Sequence, residues 1–209
     1  MNPDPLDKSN IARVRRWIDT CNESHEKCQM KELPQLPTRL IDVGVEEDAQ
    51  SVHLVETRGE RGKYIALSHC WGESHSLLTT RGTLEDMKYG FHPEKAPKTF
   101  CDAITVTRKL GIRYLWIDSL CIIQGDASDW EIESSKMGSV YRDAYLVVAA
   151  SNASSDDEGF IKMRPPPIVC LKVYSPTGSN SLKIYLRRVV AGNYISSFPP
   201  RNEPLESHA

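Results

Sequence analysis

The chain has 209 residues, 40% of them hydrophobic and 26% charged, with a formal net charge of -2. That length and apolar fraction are enough for one good core and exclude disorder throughout. With Lys and Arg interleaved among acids, no global pull toward nucleic acid or anionic lipid is expected, so neither is an expected partner.

The start, MNPDPLDKSN, has neither the basic end nor the apolar core of a signal peptide, and no apolar stretch approaches the roughly 18 residues of a membrane span. The expectation is a cytoplasmic protein without a membrane span, in which the six cysteines are free thiols. Ser9 to Cys21 spaces Ile11, Val14, Ile18 and Cys21 at helical intervals, with Ser9 or Asn10 as cap, which predicts a short amphipathic helix. Just beyond it, Cys21-x3-His25-x2-Cys28 offers three metal-type ligands where structural zinc takes four, so no structural zinc is assigned.

After Pro34 and Pro37, the runs Thr38 to Val43 and Ser51 to Thr57 read as a hairpin around the acidic turn Glu46-Glu47-Asp48, and Arg58 to Lys63 as a loop. Tyr64 to Trp71 is short, apolar and bounded by Gly62 and Gly72, which predicts a buried strand. A long polar connection carries a short helix near Thr83 to Met87. Lys98 to Leu110 places Phe100, Ala103, Ile104, Thr107 and Leu110 on a helix stopped by Gly111, and the apolar run Ile112 to Ile123 reads as the next strand. Trp130 to Ala144 has helical period, with Ser128 or Asp129 as cap, and Tyr145 to Ala150 (YLVVAA) reads as a third buried strand. Strand, helix, strand, helix, strand in alternation argues for a parallel-type α/β sheet. Ser151 to Gly159 is a polar, acidic loop. Ile168 to Tyr174 and Leu182 to Val189 form an antiparallel pair, and the closing FPPRNEPLESHA is expected to fray. Cys70, Cys101 and Cys121 read as buried small hydrophobes.

Chemistry-bearing residues gather at two strand ends. Ser68, His69, Trp71 and Gly72 end the first, while Asp118, Ser119 and Gln124 break the second. Such residues either satisfy backbone turns or line the crevice where open α/β sheets bind ligands. Ser68 and His69 are adjacent on one strand and point to opposite faces, which rules them out as a nucleophile and base pair. The chain also lacks a Gly-x-Ser-x-Gly elbow, a Walker-type loop and a Gly-x-Gly-x-x-Gly fingerprint, so ordinary hydrolase, nucleotide triphosphatase and dehydrogenase classes lose support.

The segment YIALSHCWG (64–72), the helix TFCDAITVTRKLG and the stretch YLWIDSLCIIQGDASDWEIESSKMGSVYRDAY (114–145) occur in that order. Together they resemble the fungal heterokaryon incompatibility (HET) domain, from about Tyr64 to Phe160. HET domains are regarded as similar to Toll/interleukin-receptor-type (TIR) domains. The resemblance therefore implies a TIR-like (flavodoxin-like), mostly parallel sheet flanked by helices. Around a core of 64–160 it leaves an N-terminal helix and hairpin extension (1–63) and a C-terminal β hairpin and tail (161–209). It implies fungal nonself recognition and programmed cell death, with NAD as substrate rather than cofactor. By resemblance to the Trp-x-x-Glu element of TIR NAD glycohydrolases, Trp130-x-x-Glu133 supplies the catalytic carboxylate, Glu133. Ser68, His69, Trp71, Gly72, Asp118, Gln124 and Trp130 would bind substrate, and no metal is implied. Read without the family, Glu133 is a helix N-terminal glutamate favoured by the macrodipole. The competing functional class is a non-catalytic, self-associating adaptor of the same death pathway, and the expected partners are a second copy and an incompatibility partner protein.

Overall fold

A computed structural model describes residues 2–26, 28, 32–44, 51–73 and 77–163, together with the backbone of 169–174 and 181–186. The chain divides into two compact units, Met1–Arg164 and Pro165–Ala209. The first holds a five-stranded sheet; the second holds the antiparallel pair β6 (Val169–Tyr174) and β7 (Ser181–Leu186), as the sequence predicts. The expected turn at Glu46-Glu47-Asp48 and the frayed C-terminal tail lie outside the described residues.

The first helix, α1 (Lys8–Ser24), is longer than its apolar spacing suggests and is capped by Asp7, whose side chain accepts from Ser9 N, rather than by Ser9 or Asn10. Ile18 is buried, and Ile11 and Val14 pack against the core. The hairpin strands β1 (Arg39–Asp42) and β2 (His53–Glu56) pair antiparallel as expected. They join the same sheet as β3 (Tyr64–Ser68), β4 (Tyr114–Trp116) and β5 (Leu146–Ala149), in the order β2-β1-β4-β3-β5.

β3 pairs parallel with both β4 and β5, while β1 pairs antiparallel with both β2 and β4. The sheet is thus mixed, which corrects the mostly parallel expectation. The cause is visible in β1, every residue of which is buried. A strand covered on both faces belongs inside a sheet, so the hairpin inserts beside β4 instead of standing apart.

Helix α2 (Leu84–Tyr89) lies in the long connection, and α3 (Lys98–Lys109) carries the chain from β3 to β4. α3 buries Phe100, Ala103, Ile104 and Thr107, and Gly111 at φ 74 ends it in the left-handed conformation that glycine adopts at little cost. Phe100 and Leu115 are wholly buried, each stabilising the fold by about 1.5–3 kcal/mol. The expected strand from Ile112 to Ile123 stops at Trp116, because Asp118 Oδ1 accepts the backbone N–H of Ser119 at 2.7 Å and starts a single helical turn, α4 (Asp118–Cys121). That turn keeps Leu120, Cys121 and Ile122 buried without extended backbone.

Helix α5 (Ala127–Arg142) opens earlier than Trp130 and is capped by Asp126, which accepts from the backbone of Ser128 and Asp129, rather than by either of those residues. It covers one face of the sheet, where Tyr64 donates its hydroxyl to Val140 O at 2.6 Å and Trp116 meets the Tyr141 ring edge-on at 5.4 Å. β5 is an edge strand and only half-buried, unlike the third buried strand the sequence suggests, since an edge has a neighbour on one side alone. Cys70 is exposed, contrary to expectation, because it follows the end of β3; Cys121 is buried and Cys101 half-buried.

Candidate functional site

From β3 the chain crosses first to β4 on one side and then to β5 on the other, so the carboxyl end of β3 is a topological switch point, where open α/β sheets form a crevice. Ser68 there is exposed, while the His69 side chain is 1% exposed. The imidazole stands edge-on to Phe100 of α3 at 5.3 Å and is stacked with Trp71 at 6.5 Å. Its Nε2 lies 3.0 Å from Asp156 Oδ1, off the line of a good hydrogen bond, and its Nδ1 lies 3.9 Å from Asp118 Oδ1. Asp118 in turn accepts the Trp71 indole N–H at 2.9 Å.

Two carboxylates therefore bracket one buried imidazole. Burial pushes His69 below the ordinary histidine value, against the pull of Asp118, which favours the charged ring. Burial, reinforced by the charges of Asp118 and Asp157, pushes Asp156 up to about 6. Backbone contacts fix the loop that carries Asp156: its carbonyl accepts Thr99 N at 2.8 Å, and the Thr99 hydroxyl donates to Ser155 O at 3.0 Å. Gly72, at φ 80, lets the β3 end pass close to this loop; a Cβ there would fall 2.5 Å from Ser155 Cβ. Thr79 Oγ1 and Ser119 Oγ, both buried and joined through the Thr79 N–H, which donates to Ser119 O at 3.1 Å, find no hydrogen-bond partner among the described residues. The Gln124 side chain folds back on its own loop, donating to Ile122 O at 3.0 Å and Asp118 O at 3.3 Å.

Glu133 sits elsewhere at the same end of the sheet. Because β1 runs antiparallel to β4, its first residue lies at the carboxyl end of β4, and Arg39 there donates to Cys121 O at 2.8 Å. Glu133 is 5% exposed, and its Oε1 accepts the Thr38 hydroxyl at 2.8 Å and the Lys136 ammonium at 2.9 Å. Arg39 also pairs with Asp129 at 2.5 Å, which pins the first turn of α5 to β1. Beside these groups a cavity of about 460 Å³ runs between α5 and the β1–β2 edge, lined by Thr38, Arg39, Arg58, Tyr64 and Lys136 among others. His69, Asp118 and Glu133 do not line it; Glu133 borders it through its partners Thr38 and Lys136.

The sequence-predicted residues thus fall into two groups. His69, Trp71 and Asp118 come together, with Gln124 bonded to the Asp118 carbonyl; Glu133 is held by Thr38 and Lys136, and Trp130 is 58% exposed. Burial pushes the thiol of Cys121, which closes the turn begun at Asp118, up to about 12. Such a thiol is no nucleophile at neutral pH. Sequence reasoning missed Asp156, whose acidic loop reads as solvent-facing, and missed Thr38 and Arg39, which read as an ordinary hairpin strand. Away from the sheet, Cys21, His25 and Cys28 bring their ligand atoms within 4.8 Å of one another.

The fold and this site define an α/β protein with a mixed open sheet and a polar cluster at a switch point. The chain belongs to the heterokaryon incompatibility (HET) family: the family described as Heterokaryon incompatibility protein (HET) matches residues 64–189, more than half of its length. No curated protein and no solved structure matches it. Among the described residues, no helix is long and apolar enough to cross a membrane.

Proposed function

We propose that this HET protein acts in fungal nonself recognition and programmed cell death, through a TIR-like core that hydrolyses NAD. The observation that carries the reading is the placement of Glu133: a carboxylate at the carboxyl end of the sheet whose two partners, Thr38 and Lys136, line a cavity of about 460 Å³. That volume is in the range of small-molecule sites. Arg58 and Lys136 on its walls suit the anionic pyrophosphate of a dinucleotide, beside the carboxylates of Glu56 and Asp143, while Arg39 is held by Asp129. Lys136 is a flexible side chain, 45% exposed, and its movement would uncover Glu133 for the ribose.

In this reaction the bond between nicotinamide nitrogen and ribose C1 breaks with both electrons going to nicotinamide, which leaves as a neutral ring. The oxocarbenium-like cation left on the ribose is stabilised by Glu133 and captured by water, whose extra proton goes to solvent, giving ADP-ribose. No leaving-group acid is needed.

Concentrated protein incubated with NAD is expected to release nicotinamide, and Glu133→Gln, which keeps the shape and removes the charge, is expected to release none while folding normally. Wild-type protein that releases no nicotinamide, or a variant as active as wild type, overturns the reading. The adaptor alternative draws on the half-exposed edge strand β5, with Val147 42% exposed, and on the exposed Trp130 and Ile132 of α5. It predicts self-association and cell killing that survive Glu133→Gln.

A further inference from the structure

We propose that Cys21, His25 and Cys28 form an open binding site for a thiophilic closed-shell ion of the Zn²⁺ class, with three protein ligands and a fourth position left to water or an incoming ligand. The first observation is convergence: the two Sγ atoms and a ring nitrogen all lie within 4.8 Å of one another, with Cys21 Sγ 3.3 Å from His25 Nδ1. Tetrahedral Zn²⁺ bonded to sulfur at about 2.3 Å and to nitrogen at about 2.0–2.1 Å separates its ligands by roughly 3.5–3.8 Å. From a widest separation of 4.8 Å, a pair therefore needs to close by about 1.0–1.3 Å at most, within the reach of side-chain rotation.

The second observation is independent of the side chains. α1 places Cys21 in its last turn and His25 four residues on, over the same face, with His25 N donating to Cys21 O at 3.1 Å. The backbone then folds back through a turn in which Cys28 N donates to His25 O at 2.9 Å. That bond holds the backbone of Cys28 to His25, so the third ligand is kept near the first two by the main chain as well as by its side chain.

Chemistry selects the ion. Thiolate and imidazole favour Zn²⁺-like ions over Mg²⁺ or Ca²⁺, which take oxygen. Binding releases one proton from each thiol to solvent, and the two thiolates then balance the charge of a divalent ion. Among the described residues no fourth His, Cys, Asp or Glu joins the set, and His25 and Cys28 are exposed, which separates this site from a closed structural zinc.

The test uses the full chain under reducing conditions, titrated with Zn²⁺ in competition with a chromogenic chelator, and separately with Co²⁺. One ion per chain is expected, with a thiolate-to-cobalt absorption band. Cys28→Ser is expected to weaken Zn²⁺ binding by more than the roughly 10-fold that losing an outer hydrogen-bond partner costs. Cys70→Ser, which alters an exposed cysteine outside the site, is expected to bind as wild type does. The proposal is overturned if the chelator keeps all the Zn²⁺, if the Co²⁺ spectrum of the wild-type protein lacks a sulfur band, or if Cys70→Ser weakens binding as much as Cys28→Ser. The cobalt spectrum needs no variant, so a misfolded substitution cannot decide the outcome.

Discussion

Asp156→Asn probes the buried imidazole and its two carboxylates. Asp156 is 1% exposed and faces His69, with Asp118 and Asp157 adding negative charge, so its folded-state value of about 6 stands above its ordinary 3.8. A raised acid contributes stability that is fully present below the unfolded value and is lost as pH rises through the folded one. One unit below the folded value, the neutral acid is favoured about tenfold in the folded protein, worth about 1.4 kcal/mol. Wild-type stability relative to Asp156→Asn should therefore fall by about 1–2 kcal/mol between about pH 5 and about pH 8. The amide keeps the shape and does not titrate. His69, held low by burial, acts in the opposite sense: its contribution is present above the unfolded value and is lost as pH falls through its depressed folded one. Urea unfolding of both proteins across that pH range gives the difference directly. Parallel curves, or a wild type that gains stability relative to the variant as pH rises, would refute the argument that Asp156 is forced to ionise inside the protein.

Arg39→Ala should destabilise by about 3–5 kcal/mol in denaturant unfolding, because it takes the cation from Asp129, which keeps the Ile123 N–H, and leaves the Cys121 carbonyl without its donor; a loss under about 1 kcal/mol would mean the pair is idle. Gly72→Ala should lower the melting temperature through its left-handed backbone and its clash with Ser155, and adding Ser155→Gly should recover part of the loss; no recovery would place the cost elsewhere.

The elements that were legible in the sequence owe it to local pattern. Helix α3 follows from the spacing of Phe100, Ala103, Ile104 and Thr107, and the β1–β2 hairpin from two short runs around a turn. What stayed hidden depends on contacts distant in the chain. Nothing local in Thr38 and Arg39 announces that β1 will lie beside β4, and it is this pairing that brings them to Glu133 and Asp129. The strand expected through Ile123 failed for a local reason that apolar content masks: one short carboxylate, Asp118, captures the next backbone N–H and turns the chain. His69, Trp71 and Asp118 were legible as candidate residues because strand ends and motif order mark them, though not as a group apart from Glu133. Asp156 was not, since an acidic loop gives no sign of which of its carboxylates turns inward.

The insertion of β1 beside β4 sets the smallest piece of this protein that can stand alone. The family-matched segment begins at Tyr64, but the hydrogen-bonding edge of β4 away from β3 is filled by residues from before that point. A fragment starting at Tyr64 would bare that edge and the apolar residues Leu115 and Trp116 beside it, a surface that invites strand-to-strand aggregation. It would also lose Thr38 and Arg39, releasing the first turns of α5 from the sheet. Fragments meant for toxicity or turnover assays must therefore begin upstream of Thr38, since a shorter one that proves insoluble has lost its sheet edge before the chemistry of Glu133 is ever tried.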